Sequence, residues 1–185
     1  NTILRAWSRQ TIPKELHFSW IPVADQLIGT VLDQYQLIRN RDDESDQNLC
    51  SIFLIPDSDV FCSIITMYSK SSAPNGAVRA DYWLQEMIRA SKLYPNRVTP
   101  PRATLFANVL AAWEKSKHTD ATTRGEMLWQ QLKSTKGLTP TSSAYYLYIS
   151  LWSKSDLPRS SEMAEKILRE MIILKKIYVG MLFPL

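Results

Sequence analysis

Few residues in this sequence are of a type and spacing that could carry chemistry. The 185 residues include two histidines, His17 and His118, and two cysteines, Cys50 and Cys62. They lie far apart in sequence and give no zinc-ligand spacing. The acidic run Asp42-Asp43-Glu44-Ser45-Asp46 lacks the central glycine and distal glutamate of a calcium loop, so it reads as a solvated loop. With five glycines there is no glycine-rich loop to cradle a phosphate. No serine stands in a pattern with a histidine. Glu86, Glu126 and Glu170 are expected on solvated helix faces. The expectation is a protein that is not an enzyme, with no metal, no cofactor and no small-molecule substrate.

One cationic pattern remains. Arg9, Lys70, Lys115 and Lys154 recur at one equivalent position of an internal repeat. Stacked units would set them in a row able to follow a phosphate backbone. Each also falls near a helix C-terminus, where a cation complements the dipole. Both readings stand at this point. The 22 Lys and Arg against 18 Asp and Glu give a net charge of +4, which permits a polyanionic partner without demanding one.

The elements that would position these side chains follow from periodicity. Phe61, Ile64, Ile65 and Tyr68 stand at i, i+3, i+4, i+7. So do Phe106, Val109, Leu110 and Trp113, and again Tyr145, Tyr148, Ile149 and Trp152. That spacing predicts an amphipathic helix three times over. Trp7, with Ile3 and Leu4, marks a truncated copy at the start. Each internal aromatic lies twelve residues after a proline (Pro56, Pro101 and Pro140). Proline is tolerated in a first helical turn and ends what precedes it, so each marks a junction between units.

A second helix follows in each unit, with starts at Ala24-Asp25, Ala80-Asp81, Gly125-Glu126 and Ala164-Glu165. The acidic residue suits the positive end of a helix dipole. Apolar sets follow at helical spacing, among them Trp83, Leu84 and Met87; Leu128, Trp129 and Leu132; and Ile167, Leu168 and Met171. The aromatic-to-aromatic distances are 61, 45 and 39 residues, so insertions fall in loops. The units are 1–55 with an acidic loop at 39–55, then 56–100, 101–139 and 140–176, with a tail at 177–185. The tail is either docked or a truncation. The chain begins on Asn1 inside a helical pattern and reads as a fragment, with any targeting segment upstream. Tandem helix pairs of this kind predict an all-α fold: a right-handed α-solenoid of stacked antiparallel helix-turn-helix repeats.

Composition agrees with a folded helical array. Apolar residues make up 45% and charged residues 22%, the ordinary globular range. No run of about 18 apolar residues exists, so no membrane span is expected. Two cysteines make no disulfide framework, and a reducing compartment is the simpler reading.

Three features together resemble the pentatricopeptide repeat family. They are the proline-ended junctions (Pro56-Asp57, Pro140-Thr141), the first-helix pattern from Val60 to Lys70, and the second-helix pattern from Arg79 to Met87 and from Met163 to Met171. The resemblance spans nearly the whole chain. The tetratricopeptide family is the nearest rival, but its Trp-Leu-Gly-Tyr signature is not seen. Units of 45 and 39 residues are longer than the family's. The chain looks like a divergent long-repeat member of the type seen in algal and protist organellar proteins.

That resemblance implies binding of single-stranded RNA on a concave face without catalysis, in a mitochondrion or plastid, in RNA processing, stability or translation. Base readers would lie on the first helix and just after the junction proline. Carried over, the first-helix positions are Asn1, Cys62, Ala107 and Tyr146, and the junction positions are Asp57, Arg102 and Thr141. Asn1 with Asp57 resembles the family's uracil-preferring pair. Cys62 and Ala107 make no strong base hydrogen bond. Tyr146 either stacks on a base or packs between helices. Asp81-Tyr82-Trp83 matches the tripeptide of a deaminase domain found in some family members. The His-x-Glu and Cys-x-x-Cys elements of a zinc deaminase are missing, and Trp83 is expected in the core. The other functions considered are a tetratricopeptide-like scaffold that binds protein partners, and the binding arm of a larger enzyme whose catalytic domain lies outside this fragment.

Overall fold

The computed structural model describes residues 26, 29–30, 56–71 and 73–182, with side chains through Leu174. Asn1, Arg9, His17 and the acidic loop lie outside the described residues. Among those residues every regular element is a helix, and the fold there is all-α. In chain order the helices are α1 (Ser58–Lys70), α2 (Gly76–Leu93), α3 (Ala103–Lys115), α4 (Ala121–Ser134), α5 (Ser142–Ser153) and α6 (Ser160–Leu182). The last of these runs through positions 177–182, where the sequence reading places a tail.

The apolar period decides which face each helix buries. Phe61, Ile64, Ile65 and Tyr68 of α1 are buried, as are Phe106, Val109, Leu110 and Trp113 of α3 and Tyr145, Tyr148 and Trp152 of α5. Trp83, Leu84 and Met87 of α2 and Leu128, Trp129 and Leu132 of α4 face them. Helices of this length are marginal alone in water. Burial supplies what the isolated helix lacks, at about 1.5–3 kcal/mol for each large apolar side chain.

Connectivity and packing follow one rule. Helices α1, α3 and α5 pack on one another in series. Each packs on the helix that follows it (α2, α4 and α6), and α2 and α4 also pack on the first helix of the next pair. The buried residues form one contiguous cluster. At Gly125 the approach is closest. A Cβ there would come within 2.9 Å of the Leu151 side chain, so only hydrogen fits without a shift.

Two local expectations need correction. Pro56, Pro101 and Pro140 stand outside the first turn, one residue ahead of the N-caps Asp57, Arg102 and Thr141. The cap residues have extended backbones, with ψ of 172°, 159° and 160°, so the helix begins only after them. The second helices start earlier than the sequence suggests. Asp81, Glu126 and Glu165 are each the sixth residue of their helix, beyond reach of the free N–H groups of the first turn.

Candidate nucleic-acid interface

The junction residues act first on their own helices. The Asp57 carboxylate accepts the Val60 N–H at 2.9 Å, and the Thr141 hydroxyl accepts the Ala144 N–H at 3.1 Å. Each satisfies one donor that the helix start leaves open. Arg102 occupies the same position on α3 with no side-chain cap bond, and it is exposed.

The fold brings part of the predicted set together. The Thr99 N–H donates to the Ser58 hydroxyl at 2.8 Å, which ties the 94–102 linker to the start of α1. Asp57, Cys62 and Arg102 thereby become neighbours. Burial pushes the half-buried Cys62 thiol above its ordinary value; the Arg102 charge opposes this and the Asp57 charge adds to it. Ala107, the equivalent of Cys62 on α3, is buried at 7% exposure and offers no polar group. Tyr146, the equivalent on α5, is 68% exposed. Its ring is not packed between the described helices.

The cation row is uneven. Lys70 and Lys115 are exposed at the ends of α1 and α3. Lys154 caps α5 and holds the Glu114 carboxylate, which also accepts the Ser150 hydroxyl at 2.7 Å. The hydrogen bond from Lys154 is the main reason the Glu114 carboxyl titrates below its ordinary value; partial burial opposes it and Ser150 adds to it. Lys154 is therefore already matched by an acid.

Carboxylates expected on solvated faces turn inward. Glu86 is 3% exposed and pairs with Arg89 at 2.6 Å. Glu126 accepts the Tyr148 hydroxyl, and Glu170 accepts the Tyr145 hydroxyl at 3.0 Å and Lys133 at 2.7 Å. Glu126, through Tyr148, and Glu170, through Lys133, close the joint between the second and third described helix pairs. Asp81 does the same, more completely, between the first and second pairs. At 1% exposure it accepts the Trp113 indole N–H at 3.1 Å, and Arg124 through Nε at 3.0 Å and Nη2 at 2.7 Å. Beside it the Gln85 and Gln131 amides exchange hydrogen bonds at 3.0 Å across a groove of about 530 Å³ between α2 and α4.

The next joint is built otherwise. Trp129 stacks on Tyr148 at 4.5 Å and meets Tyr145 edge-on at 4.8 Å. The Trp152 N–H, which matches that of Trp113, is buried without a partner of good geometry. Nothing in the local sequence signals the Asp81 contacts, because its partners lie 32 and 43 residues away.

His118 packs edge-on against Trp113 at 5.7 Å and accepts the Asp120 N–H at 3.2 Å. Trp83, inside the tripeptide Asp81-Tyr82-Trp83, is a core residue at 1% exposure. Among the described residues no group of three His, Cys, Asp or Glu side chains is placed to hold a metal. Among them, too, no helix is long and apolar enough to cross a membrane. No family model, no curated protein sequence and no solved structure matches this chain.

Proposed function

We propose that this chain is a non-catalytic RNA-binding protein of the pentatricopeptide repeat type. Its helix pairs would stack as a right-handed α-solenoid, with single-stranded RNA held along the face formed by α1, α3 and α5. The observation that carries this reading is Tyr146, an aromatic ring 68% exposed on a first helix, at the position the resemblance gives to base contact. Stacking of a base on such a ring is worth about 1–3 kcal/mol and tolerates any sequence. Charge supports it. Residues 56–182 carry 17 Lys and Arg against 11 Asp and Glu, so the basic surplus lies in this stretch. Cys62 and Ala107 offer little to a base edge, so contact by charge and stacking is favoured over a base-by-base code. The role in RNA processing, stability or translation, and the mitochondrial or plastid setting, come from the resemblance.

The test is binding of the chain to labelled mixed single-stranded RNA across a salt series. Phosphate neutralisation predicts a log–log line with a slope of about −0.7 per phosphate contacted. Tyr146→Ala should weaken binding about 5- to 100-fold, since the ring is exposed and its loss leaves the core alone. Failure of the folded, helical protein to bind at low salt would discard the RNA reading.

The second reading, a scaffold for protein partners, has one observation in its favour. Val78 and Tyr82 on α2 and Met127 on α4 are exposed at 41%, 39% and 56%. They present apolar surface on the second helices, away from the proposed RNA face. A folded protein that ignores RNA but captures a partner through this strip would replace the first reading.

A further inference from the structure

The groove between α2 and α4 carries hydrogen-bonding capacity that the fold does not use. It holds about 530 Å³, within the range of about 300–1,000 Å³ of sites that take small ligands. Asp81, Gln85, Arg124, Met127 and Gln131 are among the residues that line it. Asp81, buried at the joint, sets its chemistry. A carboxylate only accepts, so the Gln85 amide must turn its nitrogen to Asp81 Oδ1, 3.3 Å away. That fixes Gln85, and the reciprocal bonds at 3.0 Å fix Gln131 in turn. Neither amide flips without setting like groups against each other.

Each nitrogen of a reciprocal amide pair spends one hydrogen on its partner and points the other along one flank. On the flank towards Asp81, Gln85 spends that hydrogen on the carboxylate. On the opposite flank Gln131 Nε2 keeps an N–H and Gln85 Oε1 keeps a lone pair, side by side. Among the described residues neither has a further partner. Arg124 is in the same condition. Asp81 holds its Nε and Nη2, while Nη1 meets the Met127 sulfur, a weak acceptor 3.9 Å away.

We propose that this groove binds an extended, uncharged peptide segment of a partner protein. In an extended strand the N–H and C=O of one residue point to the same side, as paired residues of an antiparallel ladder show. Such a residue is the complement of the open flank. Its C=O accepts from Gln131 Nε2, and its N–H donates to Gln85 Oε1. Arg124 Nη1 offers a second donor, to the carbonyl of a neighbouring residue. Side chains alternate along a strand, so every second one faces Met127. That thioether is exposed and adapts to apolar side chains of different shape. Main-chain bonds supply affinity here and the apolar contact supplies selectivity. Charge favours a peptide over a nucleic acid. The lining holds one cation and one acid, joined to each other at 2.7 Å, so no net charge is left for phosphates. The site lies on the second helices and does not depend on RNA at α1, α3 and α5.

Nuclear magnetic resonance of the full chain, with the side-chain amides of Gln85 and Gln131 assigned, tests it. The probe is a pool of capped pentapeptides in which threonine alternates with valine, leucine or phenylalanine, uncharged and prone to extend. The expected result is a saturable shift of both amide signals, half complete at about 1 mM peptide or below. The matching pool with esters in place of backbone amides lacks the donor to Gln85 Oε1 and should bind at least about tenfold more weakly. Gln131→Leu should weaken the amide pool by a similar factor, through the lost donor to the peptide C=O. A urea melt shows whether that variant keeps its fold, and the ester pool tests the same flank on the unaltered protein. No shift at either amide, or equal binding of the two pools, would overturn the proposal. So would shifts at these amides produced by mixed single-stranded RNA while the peptides stay silent.

Discussion

Replacing Asp81 by alanine removes the acid that clasps the first two described helix pairs. The carboxylate is 1% exposed, and all its interactions are made by neighbouring side chains. Two groups are stranded by the change. The Trp113 N–H, in a side chain 2% exposed, loses its only acceptor, at about 1–3 kcal/mol. Arg124 loses its counter-charge. Breaking a fully buried ion pair costs about 3–5 kcal/mol. Arg124 is 37% exposed, so water recovers much of that and its share falls to about 1–2 kcal/mol. The two losses overlap at one oxygen, and the net expectation is about 3 kcal/mol of destabilisation. With a urea slope of about 1–3 kcal/mol/M, the unfolding midpoint should drop by about 1–3 M. Circular dichroism in urea is the assay, run on the wild type, Asp81→Ala, Arg124→Leu and the double variant. The cycle should show a coupling of about 1 kcal/mol or more, because the second change strands less than the first. A midpoint that barely moves, or two losses that simply add, would refute the clasp as a joint that holds the array together.

Two more predictions follow from the same joints. Burial, and then the hydrogen bonds to Glu170 and Glu126, raise the Tyr145 and Tyr148 hydroxyls well above the ordinary value of 10.0. Their contribution is therefore complete below about pH 10, where unfolded tyrosine is still neutral, and is lost as pH rises through the folded values. Thermal melts should show the wild type losing stability above about pH 10, and Tyr145→Phe with Tyr148→Phe should flatten that decline; an unchanged slope would remove these hydroxyls from the account. Gly125→Ala gains about 1 kcal/mol of helix propensity but drives a methyl to within 2.9 Å of Leu151, 3% exposed. Overpacking of about 1–3 kcal/mol should outweigh the gain, and Leu151→Ala in the same chain should relieve it; a stabilised single variant would show that Leu151 has room to move.

The parts of this structure legible in the sequence are those set by neighbours within a turn or two. The spacing of Phe61, Ile64, Ile65 and Tyr68 defines a buried face whatever lies beyond it, and all four are buried. Trp83 and Trp129 follow the same rule. Leu168 shows its limit, since it fits the pattern and is exposed. Contacts between units were not legible. Asp81 resembles a dipole-complementing acid, and Glu126 a solvated one, until residues tens of positions away bring Trp113, Arg124 and Tyr148 against them. The candidate interface is intermediate. Its positions on first helices could be read from the repeat, but the exposure of Tyr146, the burial of Ala107 and the bond from Lys154 to Glu114 depend on how the helices meet.

The caps at Asp57 and Thr141 restrict what can vary at the junctions. Replacing a capping side chain by alanine costs about 1 kcal/mol whether or not any ligand is present. Selection for helix stability alone therefore keeps those two positions within a small alphabet of serine, threonine, aspartate and asparagine. These are the same residue types with which an amide or hydroxyl code would be written. Their presence at a junction carries little information about a bound base, and a change of specificity there would have to be reconciled with the helix it starts. Arg102 is under no such restriction, since its side chain makes no cap. It is the junction residue most open to change for binding alone.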